Sequence, residues 1–153
     1  MVEHKEETVM KRFVLYIIIG IGLTACSNVE FSDNGNLDGF WLLSSVDSIQ
    51  IGKNCDCRTL GLTWAFQGKI LEVRDVNKVH QDIIMSFNHT DNQLKTFSPY
   101  LVYREEGDWP IDDTDYLKPY GINRLEESFR VLELTSSEMT LESDILRLHF
   151  RKY

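Results

Sequence analysis

Leu62-Thr63-Trp64-Ala65-Phe66-Gln67-Gly68-Lys69-Ile70-Leu71-Glu72-Val73-Arg74 reads as two short strands joined by two residues. The Gly68-Lys69 connection is of the Gly-X kind that favours a tight antiparallel hairpin. Outward from this hairpin the chain repeats the theme. Upstream, Phe40 to Val46 begins a first strand; downstream, Ile83 to Phe87 makes a fourth, ended by a turn at Asp91-Asn92. Leu94 to Phe97 and Tyr100 to Tyr103 follow, separated by Ser98-Pro99. Glu105 to Pro119 is irregular and acidic, with Gly107, Pro110 and Pro119 interrupting any ladder. Asn123 to Ser128 suits one helical turn. Phe129 to Leu134 is a strand with a phase slip between Val131 and Leu132, the mark of a bulge. Met139 and Leu141 alternate with Thr140 and Glu142. In the last strand Leu146, Leu148 and Phe150 face one way and Arg147, His149 and Arg151 the other. No long stretch reads as an amphipathic helix. Eight or nine short strands in hairpin succession predict an all-β fold, a small antiparallel up-and-down barrel, with an antiparallel β-sandwich as the alternative. Closure favours the barrel, because it removes exposed strand edges.

The start of the chain carries an address rather than a fold. Lys11-Arg12 precedes an uncharged run from Phe13 to Leu23, and then come Thr24, Ala25 and Cys26. Eleven residues are too short for a hydrocarbon core of ~30 Å, which needs about 20 helical residues. They suit the apolar region of a signal peptide. Leu23-Thr24-Ala25-Cys26 resembles the lipobox of bacterial lipoproteins. The resemblance implies acylation of the Cys26 thiol, cleavage before Cys26 and a lipid-anchored place in the cell envelope. Two or more acyl chains hold a protein stably on a bilayer, where one does not. Residues 1–25 are thus expected to be a lipoprotein signal peptide, with Met10 the expected true start. Residues 26–36 are expected to be a flexible tether, with order beginning at Leu37 and one domain over residues 37–153. Ser27 lacks the Asp associated with inner-membrane retention, so the expected location is the outer membrane.

Charge and cysteine usage narrow the partners. Removing residues 1–25 takes away three acidic and three basic residues and leaves the net charge at −8. An acidic surface argues against nucleic acid and against docking on anionic lipid by charge. Beyond Cys26 the cysteines are Cys55 and Cys57. An oxidising compartment favours a local disulfide, although so small a ring demands a bend, for which Gly52, Lys53 and Asn54 offer a turn. Free thiols are the alternative. A metal would want two more ligands, and none is near.

Gly39-Phe40-Trp41 resembles the Gly-X-Trp that opens the first strand of lipocalins. Together with the lipobox, the short tether, the Leu62–Gln67 strand with its Gly-Lys turn and the close from Phe129 to Tyr153, it makes the chain similar to small lipocalin-like lipoproteins of Gram-negative gut bacteria, a group without assigned activity. The resemblance implies that Trp41 packs at the closed end of a barrel under an arginine of the last strand, for which Arg151 is the best placed, and that Gly39 belongs to the same closure. Thr114-Asp115-Tyr116 matches a second lipocalin motif in letters, but no apolar strand follows it.

Chemistry is sparse. His80, His89 and His149 form no His-X-X-X-His motif, no His-Cys pair and no nucleophile elbow. Asp108, Asp112, Asp113 and Asp115 crowd the long loop without an EF-hand spacing and read as solvated. The sequence therefore predicts a non-catalytic protein without cofactor or metal. The barrel is expected to bind a small apolar or amphipathic ligand in its interior. The alternative is a protein- or glycan-interaction module docking through residues 105–120, where Trp109, Tyr116 and Tyr120 offer aromatic contacts.

Overall fold

A computed structural model describes residues 32–103 and 105–153; residues 1–25, Cys26 and most of the tether lie outside them. Ten strands form in chain order: β1 (Gly39–Ser48), β2 (Asn54–Asp56), β3 (Leu62–Gln67), β4 (Ile70–Asp75), β5 (Ile83–Thr90), β6 (Gln93–Leu101), β7 (Trp109–Pro110), β8 (Glu127–Leu134), β9 (Glu138–Glu142) and β10 (Leu146–Lys152). Eight of them pair antiparallel in the order β1-β3-β4-β5-β6-β8-β9-β10, and β10 pairs back onto β1. This ring is a closed eight-stranded up-and-down barrel. A sandwich is excluded by the seven-position β1–β10 ladder, from Trp41 opposite Lys152 to Ser48 opposite Leu146. The two extra strands are outriggers: β2 pairs Ser45–Asp47 of β1, and β7 pairs the end of β6.

The opening hairpin forms as its sequence requires. Gly68 takes φ +59 in the two-residue turn, and β3 and β4 pair from Leu62 opposite Asp75 to Gln67 opposite Ile70. Trp64, Phe66, Leu71 and Val73 consequently all point inward and are buried. The β8 bulge lies between Val131 and Glu133, where the phase slip is.

Four details differ from the sequence expectations. Order begins before Leu37: the Ser32 hydroxyl donates to Asp38 Oδ1 at 2.5 Å and accepts from the Gly68 amide at 2.7 Å, and a 3₁₀ turn spans Gly35–Leu37. Ser98-Pro99 does not divide a strand; Ser98 adopts φ +53, and the β5–β6 register shifts there, so β6 runs through. No helical turn forms at 123–128. Instead the buried Glu127 carboxylate accepts the Asn123 amide at 2.5 Å and holds a bend open, and burial pushes this carboxyl above the usual range. Finally, Cys55 and Cys57 are free thiols rather than a disulfide. The expected bend is missing because Asn54–Asp56 is extended and laddered to β1, which leaves Cys55 exposed while Cys57 turns into the core. Burial first, then the Cys55 and Asp56 neighbours, pushes the Cys57 thiol up to about 11.

Candidate functional site

The barrel interior is occupied by side chains. Trp64 from β3 meets Phe66 at 6.1 Å, Phe129 of β8 at 5.7 Å and Phe150 of β10 at 5.1 Å between ring centroids; Phe66 meets Phe87 of β5 at 5.1 Å. Rings from four strands thus pack together inside the barrel and fill it at that level among the described residues.

One end is shut by the start of β1. Trp41 is fully buried, and its indole N–H donates to the Leu37 carbonyl at 2.8 Å. The cation over its ring is Lys152, with Nζ 4.8 Å from the centroid and 2.8 Å from the Asn36 carbonyl oxygen it donates to. Lys152 stands directly opposite Trp41 in the ladder, hence on the same face. Arg151 stands opposite Leu42 and is exposed, so the arginine expected over the tryptophan is replaced by lysine. Gly39 has φ +110, and a Cβ there would come within 3.2 Å of the Lys152 stem, which explains the glycine.

The other end is shut by the connection between β7 and β8. Ile111, Leu117, Tyr120 and Ile122 are buried, in and around 3₁₀ turns at Thr114–Tyr116 and Lys118–Tyr120. The Tyr120 carbonyl accepts from the Trp64 indole at 3.2 Å, and the Tyr120 hydroxyl donates to the Gln81 carbonyl at 2.7 Å. Gly121 follows with φ +82, packed so closely that a Cβ would sit 2.7 Å from Leu148 Cδ2. The segment read as a binding loop is therefore largely a plug. Tyr120 anchors it from within and is no contact residue, whereas Trp109 and Tyr116 are exposed, Trp109 beside Tyr103 at 5.8 Å.

Apolar surface is instead gathered outside. The ladders place Phe40 opposite Ala65, Ala65 opposite Glu72, Glu72 opposite Ile84 and Ile84 opposite Tyr100, one outward row across β1, β3, β4, β5 and β6. Ile70 lies beside this row, opposite Ser86. Phe40 is 57% exposed, Ile70 48% and Tyr100 39%. Three grooves run together along it: about 260 Å³ between Ser32, Phe40 and Ala65, 370 Å³ between Phe40, Ile70 and Ile84, and 280 Å³ between Ile84, Tyr100 and Asp108. Glu72, the carboxylate within the row, is paired with Arg74 at 2.6 Å.

Residues 21–153 match the family described as a lipocalin-like domain. The chain belongs to that family. Its fold is also similar to a crystal structure of a lipocalin-like protein from Bacteroides uniformis ATCC 8492, at 18% identity and a TM-score of 0.60, covering 78% of this chain and all of that one. A second similar structure is an uncharacterized protein from Bacteroides eggerthii DSM 20697, at 20% identity and a TM-score of 0.56, covering 76% of this chain and 99% of that one. Such identities speak for the fold alone. No curated protein matches the chain.

Several of the remaining polar residues of this lipocalin-like domain hold one another in place. The largest of the clefts described, about 490 Å³ near Asn92, Ser128 and Asp144, is floored by a cross-strand ladder in which Glu142 pairs with both Arg130 and Arg147. His149 Nε2 lies 2.9 Å from Asp47 Oδ2, and Asn54 and His149 together hold the Asp47 carboxyl below its ordinary range. His80 packs edge-on to Tyr120, and His89 sits half-buried, its burial holding the imidazole below its ordinary range. Asp108 accepts the Tyr103 amide, Asp113 caps a 3₁₀ turn through the Asp115 amide, and Asp115 pairs with Lys118. Among the described residues, no three His, Cys, Asp or Glu side chains gather as a metal site.

Proposed function

We propose that this lipocalin-like protein is a non-catalytic lipoprotein of the cell envelope, held by acyl chains on Cys26 at the outer membrane, and that it binds apolar or amphipathic matter on the outside of its barrel. The observation that carries the binding reading is the outward row Phe40–Ala65–Ile84–Tyr100 with its three joined grooves. Contiguous exposed apolar surface marks interaction sites more often than it serves a free domain. The filled interior speaks for the outside as well, since Trp64 and its aromatic neighbours stand where an internal ligand would lie. Anchoring is supported by the Leu23-Thr24-Ala25-Cys26 sequence.

Titration of the ¹⁵N-labelled protein with monomeric dodecylphosphocholine tests the binding reading. Amide shifts should cluster at Phe40, Ala65, Ile84 and Tyr100. Shifts confined to inward positions such as Leu71, Phe129 and Leu148, or no shifts, would remove it. Anchoring is tested separately by labelled fatty acid: incorporation should vanish with Cys26→Ala, and its persistence would place the lipid elsewhere.

A further inference from the structure

We infer that the amphipathic partner of the outer face is the membrane surface itself: the barrel lies with Phe40, Ile70, Ile84 and Tyr100 against the bilayer to which Cys26 ties it. This rests on the anchoring and outer-face readings above.

Cys26 and Ser32 are six residues apart, so a fully extended connection spans at most about 20 Å. Ser32 is fixed by Asp38 and Gly68 and itself lines the first groove, beside Phe40. The chain thus leaves the barrel at one end of the apolar row. From β1 to β6 the row crosses four strand spacings, again about 20 Å. An anchor that short, leaving from that corner, holds this face within reach of the lipid.

The chemistry of the face agrees. Tyr100 offers an exposed amphipathic ring of the kind that favours a membrane interface, and Phe40 an exposed apolar one. Glu72, the carboxylate at the centre of the face, is paired with Arg74, and the other carboxylates of the grooves, Asp38 and Asp108, lie at the two ends of the row. Because the whole chain is acidic, attraction must come from apolar contact, and the docking should prefer neutral lipid and resist salt. A loose tether would instead leave the barrel tumbling above the surface with the face wet.

The test uses the acylated mature protein in phosphatidylcholine vesicles, with and without brominated acyl chains that quench tryptophan. Trp41 and Trp64 are buried, so Trp109→Phe silences the exposed indole and Ile84→Trp puts a reporter in the row. Flotation with the vesicles reads anchoring, and quenching reads docking. The expected result is flotation together with quenching of the Ile84→Trp reporter, unchanged by high salt. Adding Ile70→Glu should abolish most of the quenching while flotation persists. Phe40→Ser, which introduces no charge, should weaken it in the same direction. Flotation with an unquenched reporter overturns the docking alone. That holds equally when a second copy or another protein covers the face, which a larger species in detergent would reveal. Failure to float overturns the anchoring, and the docking with it.

Discussion

If Lys152 rather than Arg151 closes the barrel over Trp41, the two cations differ in how they couple to that ring. Trp41 is fully buried, so Trp41→Ala should cost about 3–5 kcal/mol, the range for truncating a large core aromatic. Lys152→Ala loses a ring contact worth ~0.5–1 kcal/mol and an exposed hydrogen bond to the Asn36 carbonyl worth about as much. Its total should therefore be ~1–2 kcal/mol, and Lys152→Met, which keeps the stem but not the charge, should recover part of that. Arg151→Ala removes an exposed side chain on the opposite face and should stay within ~0.5 kcal/mol. Urea unfolding of the singles and both doubles, with m-values checked for constancy, gives the cycles. Trp41 with Lys152 should fall short of additivity by ~0.5–1 kcal/mol, and Trp41 with Arg151 should add within about 0.3–0.5 kcal/mol. A coupling larger for Arg151 than for Lys152 would refute the register on which the closure rests.

Two further outcomes follow from the ends and edges of the barrel. Gly121→Ala puts a methyl 2.7 Å from Leu148 and forces an alanine to φ +82, so calorimetry should show a loss of ~2–4 kcal/mol from overpacking and backbone strain together, whereas Gly107→Ala, at an open position, should lose only the strain. With Cys26 acylated or replaced by Ala, a thiol reagent at pH 8 should titrate one fast equivalent, the exposed Cys55, and reach Cys57 only on unfolding, since burial keeps that thiol protonated; no reactive thiol in the native protein would indicate a bridge.

Where the sequence was legible, it was so through period and turn chemistry. Gly68-Lys69 set one hairpin, and its register then determined which of Trp64, Ala65, Leu71 and Glu72 faced the core. The alternation Leu146, Leu148, Phe150 extends by the same step of two to Lys152, so the cation over Trp41 was readable from parity. The family resemblance pointed to an arginine instead, and Arg151 falls on the wrong phase. The plug was not readable, because Ile111, Leu117, Tyr120 and Ile122 follow neither the strand nor the α-helix period; 3₁₀ turns and Pro119 bring them inward. Nor could the outer row be seen in one dimension. Phe40, Ala65, Ile84 and Tyr100 each sit on the solvent phase of a different strand, where one apolar residue is unremarked. Only the four successive registers align them.

The same contacts that hide the plug from the sequence bear on where this domain can bind anything. To admit a ligand between β3 and β10, the segment from Ile111 to Ile122 must lift away, since its buried side chains cover that end. Lifting it strips the Trp64 indole N–H of its Tyr120 carbonyl partner and the Tyr120 hydroxyl of the Gln81 carbonyl. A buried donor left without a partner costs about 1–3 kcal/mol, before any exposed apolar area is counted. Even then the ligand would meet Phe66, Phe129 and Phe150 packed around Trp64. The outer row requires none of this: its grooves are formed, its carboxylate is already paired, and Ser32 brings the tether to its edge. Physical economy thus favours binding on the outer wall of the barrel.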